Sequence, residues 1–257
     1  MNASSDLDRC FSFVRAQLQP PAAHARKQGR RLALTISRQT GTGGLIIARK
    51  LAAFLQADGR LDGRPWTVLD KELVGEVVRE HGLPRELTRF MPEDRVSQIE
   101  DMLEELLGLH PPTAALVRAT AETILHLADL GNVILVGRGA TVITAQLPHV
   151  FHVRLVGSPE RRIARLSRFD GLDEKAAREA MAKTDRGRAR YLKRYFGKDI
   201  EDVLLYDLTI NTDRIADEVA ARTIAEVALA GARVPGPLPS PLGAEDRLHE
   251  WARPHRD

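Results

Sequence analysis

The segment Leu32-Ala33-Leu34-Thr35-Ile36-Ser37-Arg38-Gln39-Thr40-Gly41-Thr42-Gly43-Gly44 runs from an apolar, β-prone stretch into a glycine cluster. An apolar segment of helical period follows, with Leu45, Ala48, Leu51, Ala52 and Leu55 on one face. Strand, glycine loop and helix in that order present backbone N–H groups and the positive end of a helix to a phosphate. Aligned on G-x-x-x-x-G-K-[ST], the loop keeps only the second glycine, as Gly43. Arg38 stands at the first glycine, Gly44 at the lysine, and Leu45 at the Ser/Thr that would hold Mg²⁺. The pattern is a phosphate cradle without its usual lysine.

Four further strands are expected at Thr67-Val68-Leu69, Asn132-Val133-Ile134-Leu135-Val136, Val150-Phe151-His152-Val153-Arg154-Leu155 and Leu208-Thr209-Ile210. Helical patterns separate them, so the fold class is α/β with a mostly parallel sheet. Ligands bind such sheets beyond the carboxyl ends of the strands. The glycine loop, Asp70, Gly137-Arg138-Gly139 and Asn211-Thr212-Asp213 all fall there.

A chain of 257 residues buries a sizeable core, and it divides here into three parts. Residues 1–30 form a helical and basic extension, 31–230 the α/β domain, and 231–257 a proline-rich tail with little core of its own. The single cysteine, Cys10, excludes an internal disulfide framework. No apolar run is long enough to cross a membrane. Met1-Asn2-Ala3-Ser4-Ser5-Asp6 lacks the features of a signal peptide, so the expected location is cytoplasmic. Histidines show no metal-ligand spacing, and no metal site is assigned. The basic cluster at 24–31 is short and lacks interleaved aromatics, which argues against nucleic-acid binding.

Six segments in order resemble nucleoside monophosphate kinases, most closely the cytidylate kinase-like family. They are Ile36 to Gly44, Leu69-Asp70-Lys71-Glu72-Leu73, Val136-Gly137-Arg138-Gly139-Ala140, Ser158-Pro159-Glu160-Arg161-Arg162-Ile163, Thr184-Asp185-Arg186-Gly187-Arg188-Ala189-Arg190-Tyr191, and Tyr206-Asp207-Leu208-Thr209-Ile210-Asn211-Thr212. The resemblance implies a P-loop three-layer core, a helical monophosphate-binding insertion and an arginine-rich helical lid. It also implies ATP and Mg²⁺, with the γ-phosphoryl passing to a cytidylate-type acceptor. True cytidylate kinases carry the P-loop lysine; the cytidylate kinase-like branch typically has glycine there, as here. That branch usually follows the glycine with Arg-Glu, whereas this chain has Leu45-Ile46.

Phosphoryl transfer needs positive charge around the moving group. A unit charge pair at about 4 Å is worth roughly 4 kcal/mol at an effective dielectric near 20. Uncompensated loss of the lysine therefore approaches about a thousandfold in rate. Arg38 is the nearest replacement in sequence, its bland alternative being a strand-end surface arginine. Thr40, Gly41, Thr42, Gly43 and Gly44 are the expected phosphate-binding loop, unless they form only a tight turn. Thr42 is the one nearby hydroxyl placed to help a metal. Asp70 matches a nucleoside-reading Asp of cytidylate kinases but equally suits a helix N-cap before Lys71. Arg138 matches an acceptor-phosphate arginine, with Gly139 where that motif has Asp; pairing with Asp70 or Glu72 is its structural alternative.

On the expected lid helix, Arg186, Arg190 and Arg194 share a face, while Arg188 is the best second member by motif alignment. Asp185 is expected to orient these arginines. Of the arginines after the fourth strand, only Arg161 or Arg162 is a candidate. Apolar positions Ile99, Met102, Leu103, Leu106 and Leu107 within an insertion of about 84–130 define a helix that packs on the core or on a second subunit, which leaves a homodimer open. The expectation is a phosphotransferase acting on small nucleotides, with Arg38, Arg186, Arg188 and Arg190 as its cations. The rival is a nucleotide-binding regulatory module that kept the fold and lost catalysis.

Overall fold

Strand β1 (Ala33–Arg38) is central because both of its edges are used. Thr35 and Ser37 alternate with Leu34 and Ile36, and this period of two sends polar and apolar side chains to opposite faces. The computed structural model describes residues 32–58, 61, 63–70 and 112–231. After β1 come α1 (Gly44–Ala57), β2 (Thr67–Asp70), α2 (Pro112–Leu130), β3 (Val133–Val136) and α3 (Ala140–Ile143). They are followed by β4 (Val150–Val156), α4 (Pro159–Asp170), α5 (Glu174–Phe196), a 3₁₀ turn (Val203–Leu205), β5 (Leu208–Asn211) and α6 (Asp217–Ala230).

The five strands lie in the order β2-β3-β1-β4-β5, and every pairing is parallel. Each expected strand is present. Parallel pairing forces each connection to cross over one face of the sheet, which covers both faces with helices. One face buries Leu34, Ile36, Ile134, Val153 and Leu155 against Ile47, Leu51 and Leu55 of α1 and Ala221 and Ile224 of α6. The opposite face buries Ala33, Val133 and Leu135 against Ala121, Ile124 and Leu125 of α2 and Leu192 and Phe196 of α5. The result is the expected three-layer α/β fold.

Helix ends follow local chemistry. Ser158 and Asp173 cap α4 and α5 by accepting from the N–H groups of Arg161 and Ala176, and Gly171 and Gly197 end those helices in the left-handed conformation. In α1 the buried face comprises Gly44, Ile47, Ala48, Leu51 and Leu55, with Leu45 and Ala52 half-buried. The expected face is thus rotated slightly, bringing Ile47 inward in place of Leu45. Residues 112–130, expected within an insertion, instead form α2, which packs on the core through Val117, Leu127 and Ala128. The N-terminal extension, the helix at 99–107, the helix start after Asp70 and the tail beyond 231 lie outside the described residues. Among the described residues, no helix is long and apolar enough to cross a membrane.

His126 of α2 is only 1% exposed. Burial pushes its imidazole down to about 4, with Asp129 pulling in the opposite direction. The unfolded chain takes up this proton near pH 6.5 and the folded chain does not until about pH 4. Stability is therefore fully present above pH 6.5 and is lost as pH falls toward 4, by up to roughly 3 kcal/mol. Urea unfolding of wild type and His126→Gln across that window should give profiles that converge at low pH by about this amount. Parallel profiles would contradict the assignment.

Candidate functional site

The glycine loop leaves β1 at Arg38 and enters α1 at Gly44. Gly41 (φ 86°) and Gly43 (φ 76°) are left-handed, which places two hairpin-like reversals within three residues. Gly41 also needs to be glycine for packing, because a Cβ there would stand 2.5 Å from the carbonyl oxygen of Arg162. Among the described residues, the N–H groups of Gly41, Gly43 and Gly44 have no hydrogen-bond acceptor. They stand at the N-terminus of the 14-residue helix α1, whose first turn contains no acidic side chain. Free N–H groups at the start of a helix are donors suited to an anion.

The loop hydroxyls do not complete it as expected. Thr42 is buried and donates to the carbonyl of Gln39 at 2.8 Å, a turn-fastening bond. Thr40 donates to Asp185 Oδ1 at 2.7 Å. Both hydroxyl protons are spent within the protein, so in this structure neither is free to donate to a phosphate oxygen.

Arg38 takes an instructive path. Its stem crosses Gly44, where an added Cβ would meet Arg38 Cγ at 3.1 Å and Cδ at 3.5 Å. Its guanidinium continues over Gly137, where an added Cβ would meet Nη1 at 2.1 Å. The position of the missing lysine is thus crossed by the arginine's aliphatic stem. Among the described residues, its guanidinium has no hydrogen-bond acceptor. Its pKa is lowered to about 10, by loss of solvent first and then by Arg188 and Arg138, with Asp70 and Asp185 opposing them. It remains charged at neutral pH, beside like charges and short of water. An anion would relieve both penalties.

Arg38 opens onto a cavity of about 320 Å³ also lined by Ser37, Arg138, Thr141, Arg188 and Tyr191. Arg138 arrives there through three consecutive left-handed residues, Gly137 (φ 91°), Arg138 (φ 56°) and Gly139 (φ 73°). Such a conformation is strained for an arginine. Gly139 is required in addition by Phe196, whose Cε2 would lie 2.9 Å from an added Cβ.

Arg188 reaches the cavity from α5, along the face that carries Thr184, Gly187 and Tyr191. Burial lowers its pKa, Asp185 raises it, and Arg154 and Arg162 lower it. Arg186 and Arg190 are exposed and line no part of the cavity. Each stands two residues from Arg188, which on a helix is about 200° around the axis. In this structure the Arg186–Arg190–Arg194 stripe faces solvent, and Arg188 alone of this group turns inward. Asp70 stands close enough to Arg38 to raise its pKa.

Three arginines with defined partners complete the surroundings. Arg162, 7% exposed, donates to Asp185 Oδ2 at 2.6 Å and to the carbonyl of Thr40 at 3.2 Å. Arg161 points to solvent. Arg165 was not anticipated: its guanidinium covers Gly43 and donates through Nη1 to Asp217 Oδ1 at 2.9 Å. Arg154 was also not anticipated. It is buried on β4, donates to Ser37 Oγ at 2.9 Å and to Glu201 at 2.6 Å, and lies 5.7 Å from the centroid of the Tyr206 ring. Its signal was present in the alternation of β4, where His152 and Arg154 share a face. In register, they pair with Thr35 and Ser37 of β1.

Among the described residues, no group of His, Cys, Asp or Glu side chains could hold a metal ion. Known proteins place these features in context. The family model described as "Cytidylate kinase-like family" matches residues 33–214. The cytidylate kinase of Methanopyrus kandleri is 26% identical over 168 residues, covering 62% of this chain and 85% of that protein. The cytidylate kinase of Pyrobaculum arsenaticum is 27% identical over 190 residues, covering 74% and 88% respectively. An uncharacterized protein from Eubacterium ventriosum shares the fold, with a TM-score of 0.55 at 22% identity over 76% of this chain and 99% of that one.

The strain at Arg138 separates stability from binding. Arg138→Gly should leave the melting temperature unchanged or raise it by about 2–4 °C, since relief of up to about 1 kcal/mol is available. The same variant should bind inorganic pyrophosphate roughly tenfold more weakly, as loss of one charged hydrogen-bonding group costs about 1.5 kcal/mol or more. A lower melting temperature, or unchanged pyrophosphate affinity, would contradict this account.

Proposed function

The chain belongs to the cytidylate kinase-like family, and on that premise we propose that it is a nucleotide-dependent phosphotransferase. It moves the γ-phosphoryl of ATP to a CMP-like nucleoside monophosphate or a related small acceptor. The observation that carries this reading is the course of Arg38 across Gly44 and over Gly137 into a cavity shared with Arg138 and Arg188. Guanidinium groups suit phosphate oxygens bidentately. A half-buried arginine with no acceptor among the described residues is a site suited to an anion.

In this reading the N–H groups of Gly41, Gly43 and Gly44 hold the donor's phosphates. Mg²⁺, when present, would be held by the nucleotide's phosphates and would supply further positive charge around the moving group. Arg138 grips the acceptor phosphate from its left-handed turn. An acceptor phosphate oxygen is already anionic, so transfer requires no general base. The bond between the γ-phosphorus and its bridging oxygen breaks as the acceptor oxygen bonds to phosphorus, and the charge left on the donor remains on its β-phosphate. Arg38 and Arg188 face the region where that charge is redistributed, which is where fixed cations contribute most to rate.

ATP consumption with Mg²⁺, measured across a panel of nucleoside monophosphates, tests the reading. Wild type should show turnover that prefers one acceptor. Arg38→Ala should lose roughly a hundredfold to a thousandfold in kcat/KM, the scale of a charge pair worth about 4 kcal/mol. Nucleotide-induced thermal stabilisation with no turnover on any acceptor would instead make the chain a binding module on a kinase frame.

A further inference from the structure

Every polar atom of Thr40 is occupied. Its N–H donates to Asp185 Oδ1 at 2.8 Å and its hydroxyl to the same oxygen at 2.7 Å. Its carbonyl accepts from Arg162 Nη1 at 3.2 Å, and its hydroxyl oxygen accepts from Arg188 Nη1 at 2.7 Å. Asp185 also accepts from Arg162 at 2.6 Å and from Arg188 at 3.2 Å. Arg188 completes the circuit by donating to the carbonyl of Arg38 at 3.2 Å. One carboxylate therefore ties the phosphate loop, the N-terminal turn of α4 and the middle of α5.

We propose that Asp185 is the positioning residue that fixes Arg188 and the phosphate loop in a single register. This rests on the phosphoryl-transfer reading above. Arg188 is repelled by both Arg38 and Arg162, and Asp185 is the carboxylate in direct contact with Arg162 and Arg188. Its oxygens accept from four donors, three on Oδ1 and one on Oδ2, and two of those donors are guanidinium groups, an arrangement that suits holding cations in place. Its effect passes through its partners. With the carboxylate in place, Arg188 can bond Thr40 and Arg38 only from the side of α5 that faces the cavity. Without it, the guanidinium is repelled toward solvent, and Thr40 loses the acceptor of its N–H.

The cradle N–H groups of Gly41, Gly43 and Gly44 are not bonded to Asp185, so ground-state nucleotide binding should change little. Loss of Arg188's orientation should appear in the chemical step. Asp185→Asn is expected to lower kcat by about thirtyfold or more while KM for ATP moves by less than about threefold, the signature of an interaction made chiefly in the transition state. Amide hydrogen exchange at Thr40 should accelerate by roughly tenfold or more, because its acceptor weakens. Thr40→Val, which keeps the N–H bond and removes the hydroxyl, should lower kcat by about three- to tenfold with exchange at that amide unchanged.

A folded Asp185→Asn protein with kcat within threefold of wild type, or with Thr40 protected as in wild type, overturns the proposal. If Asp185→Asn does not fold, Thr40→Val decides, and an unchanged kcat overturns it. Should wild type show no turnover at all, the phosphoryl-transfer reading fails. Exchange at the Thr40 amide then still decides whether Asp185 holds the loop, with unchanged protection as the negative result.

Discussion

The site is organised by the exclusion of any side chain at two positions. A Cβ at residue 44 would stand 3.1 Å from Arg38 Cγ and press on its stem, and one at residue 137 would displace the end of its guanidinium from the mouth of β3. Gly44 has a backbone conformation that other residues adopt readily, so the close contact it makes is with the arginine lying on it and not a demand of the turn. Gly137 is left-handed in addition. Loss of the motif lysine and the presence of Arg38 are therefore two descriptions of one packing solution, in which a longer cation rooted on the strand replaces a shorter one rooted on the helix.

That solution carries an electrostatic cost. A half-buried arginine beside Arg188 and Arg138 has its pKa lowered, and nearby Asp70 and Asp185 only partly offset the loss. The protein keeps such a cluster folded by giving the outer arginines carboxylates of their own. Arg162 has Asp185, Arg165 has Asp217 and Arg154 has Glu201. Arg38 is treated differently. The arginine network thus has a supported periphery and an electrostatically strained centre, and the centre faces the cavity.

Much of the fold was legible because parallel strands buried on both faces leave short, dense apolar runs between glycine turns, and all five such runs became strands. The loop was legible for the same reason, since glycines at 41 and 43 mark backbone reversals. The helical arginines were harder to read. A cationic stripe at i, i+4 spacing identifies residues that share a face but not which face is covered. Here the face that meets the cavity carries Thr184, Gly187, Arg188 and Tyr191, while Arg186 and Arg190 face water. Arg154, Arg162 and Arg165 were hidden for a different reason. Their roles depend on contacts between elements far apart in sequence, such as Arg165 with Asp217, which no local pattern encodes.

The most direct test of the relocated cation is to return it to its ordinary place. In Arg38→Gly/Gly44→Lys the loop regains both the glycine and the lysine of the common motif. kcat/KM would be measured for this double variant and for each single one. If Arg38 stands in for the lysine, Arg38→Gly loses about a hundredfold or more, and Gly44→Lys is impaired because its Cβ presses on the Arg38 stem. The double variant should then recover at least about tenfold over Arg38→Gly, a non-additivity expected of residues that share one space and one role. A double variant no better than Arg38→Gly, or an Arg38→Gly protein as active as wild type, would contradict the account.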